Sequence, residues 1–267
     1  MKQILTAIAA TTLTSNAAII AHYDANTGSP PDALSVVAPN DNSTPGDNTL
    51  WTLNDSSLGS GDAQEGAFEG GQGAWRNLDG TANNNPGYRT TLTTTDYQNM
   101  YDNGWSLTIR LRLQQGGQFI SVGGDNNNTG TSFNFAGDRR IGASLNASGD
   151  DYTVAAVGAG GSTVTVTDGI LNQTYVRIEI IGDAGAQTAT WNLYNDDTNT
   201  LLSSQALTGW ASGNGATDDN IGWQSGSSSG DNREAYYREV SLVSVPEPTS
   251  SALLGLSGLA LILRRRK

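Results

Sequence analysis

Apolar and polar residues alternate along much of the chain with a period of two, most sharply in WSLTIRLRL. There Trp105, Leu107, Ile109, Leu111 and Leu113 point one way, and Ser106, Thr108, Arg110 and Arg112 the other. This predicts a strand with one face in a core and one, carrying both arginines, in water. Shorter runs rich in Val, Ile, Thr and aromatics predict strands at QFISV (118–122), TSFNF (131–135), RIGASL (140–145), YTVAAV (152–157), TVTVT (163–167) and TYVRIEII (174–181). TATWNLYN (188–195), with Ala189, Trp191 and Leu193 on one face, TLLSSQAL (200–207), NIGW (220–223) and AYYREVSLV (235–243) continue the series. Between them lie clusters such as GGDNNNTG and NASGDD, whose Gly, Asn, Asp and Ser are turn formers. Many short strands and no long run of period 3.6 predict an all-β antiparallel sandwich. The stretch from His22 to Asn103 alternates less and holds four of the seven prolines between residues 28 and 53, so irregular coil and edge strand are expected there. TTTDYQNMYDNG (93–104) predicts a helical turn capped by Thr95 or Asp96.

The two ends break this pattern. The first 21 residues carry one basic residue, Lys2, then an apolar stretch from Ile4 to Leu13, then small residues at Ala17, Ala18 and Ala21. That is the layout of a secretory leader, with cleavage near one of those alanines and a mature chain starting close to His22. At the other end, VPEP is followed by an apolar run from Ser251 to Leu263 and by RRRK. A spanning helix needs about 20 apolar residues, so this run is a poor permanent anchor. Its order of features resembles the PEP-CTERM sorting tail of Gram-negative bacteria. Pro246, Glu247 and Pro248 match the triplet, and Arg264, Arg265 and Arg266 the basic stop. The resemblance implies processing by an exosortase-type membrane protease and a transient inner-membrane contact through the tail. It also implies delivery to the cell envelope, cell surface or extracellular matrix, and basic residues are retained on the cytoplasmic side in any case. The chain thus divides into a leader (1–21), one sandwich domain (22–244) and a sorting tail (245–267).

Composition narrows the functional classes. Setting aside Lys2 and the basic residues of the tail leaves nine arginines and no lysine against 26 acidic residues. Such a chain repels nucleic acid and anionic lipid. The absence of cysteine removes thiol catalysis, disulfides and zinc ribbons, and the domain must hold itself by its core. With one histidine, His22, a histidine-rich metal site cannot be built, and a Ser-His-Asp arrangement would have to use that residue.

The order WSLTIRLRL, LNQTYVRIEIIGD, TATWNLYNDDTNTLL and NIGWQSGSSSGDNREAYYREVSLV is similar to the laminin-G-like or concanavalin A-like jelly roll over roughly residues 105–243. The resemblance implies a sandwich of a kind that often binds glycans. Where that pattern carries an acidic pair in the last strand, this chain has Arg238 and Glu239.

Candidate chemistry is sparse. Glu179 and Asp183 in RIEIIGD are the nearest approach to the paired carboxylates of a glycosidase, with Ile181 between them on the same face; no catalytic residue is assigned. Calcium would need oxygens such as Asp125 and Asn127 in DNNNTG, or Asp24 and Asn26 in DANTG; no cofactor is required. Sugar binding needs an aromatic face with amides and carboxylates beside it. Trp105 and Trp191 belong to apolar strand faces. Trp75, Trp210 and Trp223 lie among glycines, and Trp75 and Trp210 are the candidates for stacking on a sugar. The expectation is a non-catalytic protein that binds an extracellular polysaccharide or mediates adhesion. The alternatives are a glycoside hydrolase or polysaccharide lyase on the same fold, and a matrix protein without a ligand.

Overall fold

A computed structural model of the chain describes residues 18–25, 51–53, 63–69, 72–80, 86–122, 141–148, 150–157, 163–171, 174–186, 188–208, 220–225 and 233–244. The strands are β1 (Ala18–Asp24), β2 (Thr52–Leu53), β3 (Ala63–Glu69), β4 (Gln72–Asp79), β5 (Gly87–Thr91), β6 (Trp105–Gln115), β7 (Gly117–Val122) and β8 (Ile141–Ser148). They continue as β9 (Asp151–Val157), β10 (Thr163–Leu171), β11 (Val176–Gly182), β12 (Thr188–Asn195), β13 (Thr200–Thr208), β14 (Asn220–Ser225) and β15 (Arg233–Ser244), with one helix, α1 (Thr94–Asn103). All the pairings are antiparallel and form two sheets. The larger runs β13-β12-β11-β6-β15-β4-β3 with β1 also on β15, and the smaller β10-β9-β8-β7-β14-β5-β2.

The alternation read from the sequence is what stacks these sheets. Leu107, Ile109, Leu111 and Leu113 of β6, Ile178 and Ile180 of β11 and Trp191 of β12 are wholly buried, facing Ile120, Val122, Leu145 and Val154 of the smaller sheet. Trp191 ties the layers with a hydrogen bond from its indole N–H to the Gly142 carbonyl at 3.1 Å. The expected irregular first half instead supplies β1, β3, β4 and β5 to the two sheets. Its strands are short and rich in Gly and Ala, so their local pattern is weak, and long-range partners determine their conformation. The helix is capped by Thr93, two positions before Thr95, the nearer of the two expected caps. The Thr93 hydroxyl accepts from the Asp96 N–H, and the Thr93 N–H donates in return to the Asp96 carboxylate, a capping box.

One end of the interior is aromatic and polar. Trp223 stacks on Tyr237 at 5.0 Å and touches Trp51 at 5.0 Å, Tyr23 at 5.8 Å and Tyr88 at 5.8 Å. Burial pushes the Tyr237 phenol well above its ordinary value, so it stays a neutral donor, to Gln118 Oε1 at 3.0 Å. Beyond it Arg233 and Asp79, each 1% exposed, form an ion pair at 2.6 Å, and the Ser225 hydroxyl donates to the same carboxylate. Removing one partner of such a pair leaves an uncompensated buried charge, which typically costs about 3–5 kcal/mol. The turn between β6 and β7 is shaped by this arginine. Gly116 has φ 69°, and a Cβ there would come within 2.4 Å of Arg233 Cγ.

Strand β15 is shared. Its first half pairs with β4 (Arg233↔Asp79 to Tyr237↔Trp75). Its second half pairs on the same edge with β1, from Glu239↔Asp24 to Ser244↔Ala18. The opposite edge pairs along its length with β6. The first strand therefore begins at Ala18, inside the leader as bounded from the sequence. A leader ending at residue 21 would remove Ala21, which is fully buried, and three cross-strand partners of β15. Cleavage after Ala17 leaves β1 whole, and N-terminal sequencing of exported protein should read Ala18 first. A chain starting at His22 should melt about 4–10 °C below one starting at Ala18, from the loss of several ladder hydrogen bonds. Equal melting temperatures would show that this part of β1 contributes nothing.

Candidate functional site

The outward face of the larger sheet carries a dense array of charged and polar side chains. Cross-strand register arranges it in rows. One row runs Asp24, Glu239, Arg110, Arg177, Tyr194 from β1 to β12; the row beside it runs His22, Ser241, Thr108, Glu179, Asn192. Five of the nine arginines project from this face: Arg76, Arg110, Arg112, Arg177 and Arg238.

These guanidinium groups are held from two sides. Arg110 Nε lies 3.4 Å from both Asp196 and Glu239. Arg177 Nε lies 2.8 Å from Glu179, and its Nη1 is 3.8 Å from Asp196. Arg76 bridges Glu65 at 2.5 Å and Glu234 at 2.6 Å. The flat faces stack on phenol rings, Arg177 over Tyr194 at 4.4 Å, Arg112 over Tyr236 at 4.1 Å and Arg238 over Tyr175 at 3.3 Å. This stacking corrects one expectation. Arg112 sits on the outward face as its position in the alternation requires, but it is 5% exposed, because Tyr175 and Tyr236 flank it.

Trp105 and Trp191 are fully buried on their strands, as expected, whereas the expectation for Trp75 is corrected. Trp75 is only 5% exposed. It lies on β4 with Asn77 and Asp79 on the inward side, opposite Tyr237, and its ring meets Tyr88 edge-on at 5.8 Å. Its ring is therefore not open to a sugar. The glycine beside it, Gly73, is part of the same strand and not of an exposed loop. Trp223 is fully buried for the same reason, as the centre of the aromatic cluster. Trp210, Asp125, Asn127 and Asn26 lie outside the described residues, as do Pro246, Glu247, Pro248, Arg264, Arg265 and Arg266. Asp24 is half-buried on β1 opposite Glu239. Among the described residues no three acidic or histidine side chains gather as a metal site. Glu179 is engaged by Arg177, and Asp183 accepts from the Thr188 hydroxyl in the turn after β11, so each has a structural partner.

Register also creates a neighbourhood that the linear sequence hides. The single histidine stands directly across from Ser241, with Asp24 and Glu239 in the next row. The β15 backbone here is paired with β1 on one side and β6 on the other, so its N–H groups are committed to the sheet.

Against known structures the sandwich is recognisable at low sequence identity. A carbohydrate esterase, vb_24B_21, of the Shiga toxin-encoding bacteriophage phi24B is similar with a TM-score of 0.56 at 9% identity, over 86% of this chain and 100% of that one. SO2946 of Shewanella oneidensis MR-1, a protein of unknown function, is similar with a TM-score of 0.50 at 14% identity, over 86% and 87%. Peanut lectin is a more distant match, at a TM-score of 0.44 and 15% identity over 76% and 100%. The likeness is one of fold, an antiparallel β-sandwich of the jelly-roll kind. No curated protein matches the sequence. Residues 244–267 match the PEP-CTERM protein-sorting motif, beginning at the last residue of β15. That motif is a sorting signal recognised by exosortase, a membrane protease, and it marks a protein exported to the bacterial cell envelope.

Glu239 is a carboxylate of this face whose titration the fold shifts. Burial raises its pKa; Arg110 and His22 oppose the rise, and Asp24 and Asp196 add to it. Its folded pKa thus lies above its unfolded one, so the folded chain takes up its proton first. Stability falls as pH climbs from the unfolded value through the folded one, and the penalty persists at neutral pH. Glu239→Gln should therefore raise the melting temperature at pH 7 and leave it unchanged near pH 3. Destabilisation at pH 7 would mean that the Arg110 contact outweighs burial.

Proposed function

We propose that this exported envelope protein binds an extracellular polysaccharide on the outward face of its larger sheet and does not cleave it. The observation behind this reading is the row His22, Ser241, Thr108, Glu179 and Asn192. Hydroxyl, imidazole, carboxylate and amide groups follow one another across five strands, a span of about 19 Å at ordinary strand spacing. Beside them Tyr194 and the paired arginines form a face stiffened by stacking and ion pairs. Sugar hydroxyls need such alternating donors and acceptors, and an extended chain of sugars suits a row that runs straight across neighbouring strands. The sorting tail delivers this face to the compartment where envelope polysaccharides lie. A shallow wet site leaves little surplus after ordering and desolvation, so affinities of roughly 10 µM to 1 mM are expected. On a glycan array the domain should retain at least one polysaccharide. Asn192→Ala and Thr108→Val should each weaken it roughly 2- to 10-fold, one hydrogen bond's worth, with unchanged melting temperature. Retention undiminished in both variants would move the site elsewhere, to the neighbourhood of Trp210 or of Asp125 and Asn127. No retention of any glycan would replace this reading with a ligand-free matrix protein.

One juxtaposition favours a second reading. His22 across from Ser241, with Asp24 and Glu239 beside it, has the residue types of a serine esterase, in which the imidazole takes the hydroxyl proton and a carboxylate orients it. Against it stands the sheet: the N–H groups of β15 are committed to its two neighbours and unavailable to an oxyanion. The non-catalytic reading expects p-nitrophenyl acetate to be hydrolysed no faster by the protein than by its Ser241→Ala variant. A rate abolished equally by Ser241→Ala and His22→Ala would establish the esterase instead.

A further inference from the structure

The outward face of the larger sheet changes character along the strands. At the end where β1 begins and β15 finishes, the cross-strand row is Ile19, Val243, Ser106, Ile181. Ile19 is 51% and Ile181 42% exposed, unusual for isoleucines on a paired sheet, and Val243 between them is half-buried. The next row toward the middle is polar, the one after that charged, and the far end carries Arg112, Tyr236, Arg76 and Glu65. From Ser106 to Arg112 is six residues of β6, about 20 Å.

The apolar end is also where the membrane addresses attach. Ala18 and Ser244 are direct cross-strand partners, so the leader and the sorting tail leave the sheet side by side. Six residues, 245–250, separate β15 from the apolar run that begins at Ser251. Fully extended they reach about 20 Å. While that run is in the bilayer, the row of Ile19, Val243 and Ile181 cannot lie far from the membrane surface.

We infer that this apolar row is a membrane-contacting edge: during sorting the domain stands on the lipid surface through Ile19, Val243 and Ile181, with its charged rows held away from the bilayer. The occupant is lipid. The patch is too small to bind membranes alone, but tethering by the tail makes its contact intramolecular, at an effective concentration of order millimolar. Asp102 and Asp183 lie at the same end and are exposed, so the contact suits zwitterionic lipid and weakens as anionic lipid is added. The consequence for sorting is orientation. The Pro-Glu-Pro triplet follows β15 by two residues. A domain seated on this edge holds that triplet at the level where a membrane protease works and turns the polar rows toward the outside.

The inference rests on the sorting reading of the tail, and one experiment separates the two. The chain has no cysteine, so single substitutions label cleanly. Protein running from Ala18 to Lys267, with the leader removed, and with Ile181→Cys or Glu65→Cys, each carrying an environment-sensitive fluorophore, is mixed with phosphatidylcholine–phosphatidylethanolamine vesicles containing doxyl-lipid quencher. Both sites are exposed, so neither substitution disturbs the core. Flotation of both proteins with the vesicles tests the tail, and failure to float would refute the sorting reading itself. Given flotation, the label at 181 should be quenched at least threefold more than that at 65, and the difference should shrink when anionic lipid is added. Equal quenching would overturn the membrane-contacting edge while leaving the tail reading intact. Quenching at 181 that appeared only with the sorting protease in the vesicles would also overturn it and assign the patch to that protein.

Discussion

The larger sheet depends on one strand having three partners. β15 pairs along one edge with β6 and divides its other edge between β4 and β1. A strand that long can serve two short neighbours end to end only if its twist changes where one stops and the other starts, and the register shift between Tyr237 and Glu239 lies there. Arg238, the residue so displaced, presents its carbonyl to the Ala25 N–H and its guanidinium to the Tyr175 ring. The irregularity falls between the stretch of β15 paired with β4, which ends at Tyr237, and the stretch paired with β1, which begins at Glu239.

An acidic domain without lysine between residues 22 and 244 uses its few cations as structural pieces. Guanidinium groups suit this because they are planar, always charged and able to face a ring and a carboxylate together. Arg177 does both, with Tyr194 on its face and Glu179 at its edge. Arg233 makes a buried ion pair with Asp79 between the sheets. A lysine could supply the charge but not the flat surface. The rigidity of the outward face, and hence any function that needs fixed donors and acceptors on it, comes from this pairing of planar cation with ring and acid.

The sequence carried the strands well where both faces of the alternation were chemically distinct. β6, β11, β12 and β15 lie within a residue or two of their expected bounds. Alternation says which side a residue takes but not what else covers that side, so Arg112 was expected in water and lies under two tyrosines. Glycine-rich flanks suggested loops around Trp75 and Trp223, whereas those glycines permit close strand approach. A Cβ at Gly222 would sit 2.3 Å from the Tyr88 carbonyl oxygen. The polar row was illegible for another reason. Thr108 was visible as an outward position of its strand, but His22 fell in a stretch expected to be irregular, and it becomes a neighbour of Ser241 only through pairing between opposite ends of the domain.

The adjacency of Ala18 and Ser244 has a mechanical meaning as well. Two antiparallel strands whose free ends lie at the same edge of a sheet, pulled apart by those ends, open like a zipper: each cross-strand bond takes the load alone and in turn. Strands pulled along their axes in opposite senses would instead share the load among all bonds at once. If the envelope held this protein at both ends, β1 would peel away under small forces while β6 and the rest of the sandwich stayed folded. If it held the protein at one end only, no tension would run through the pair.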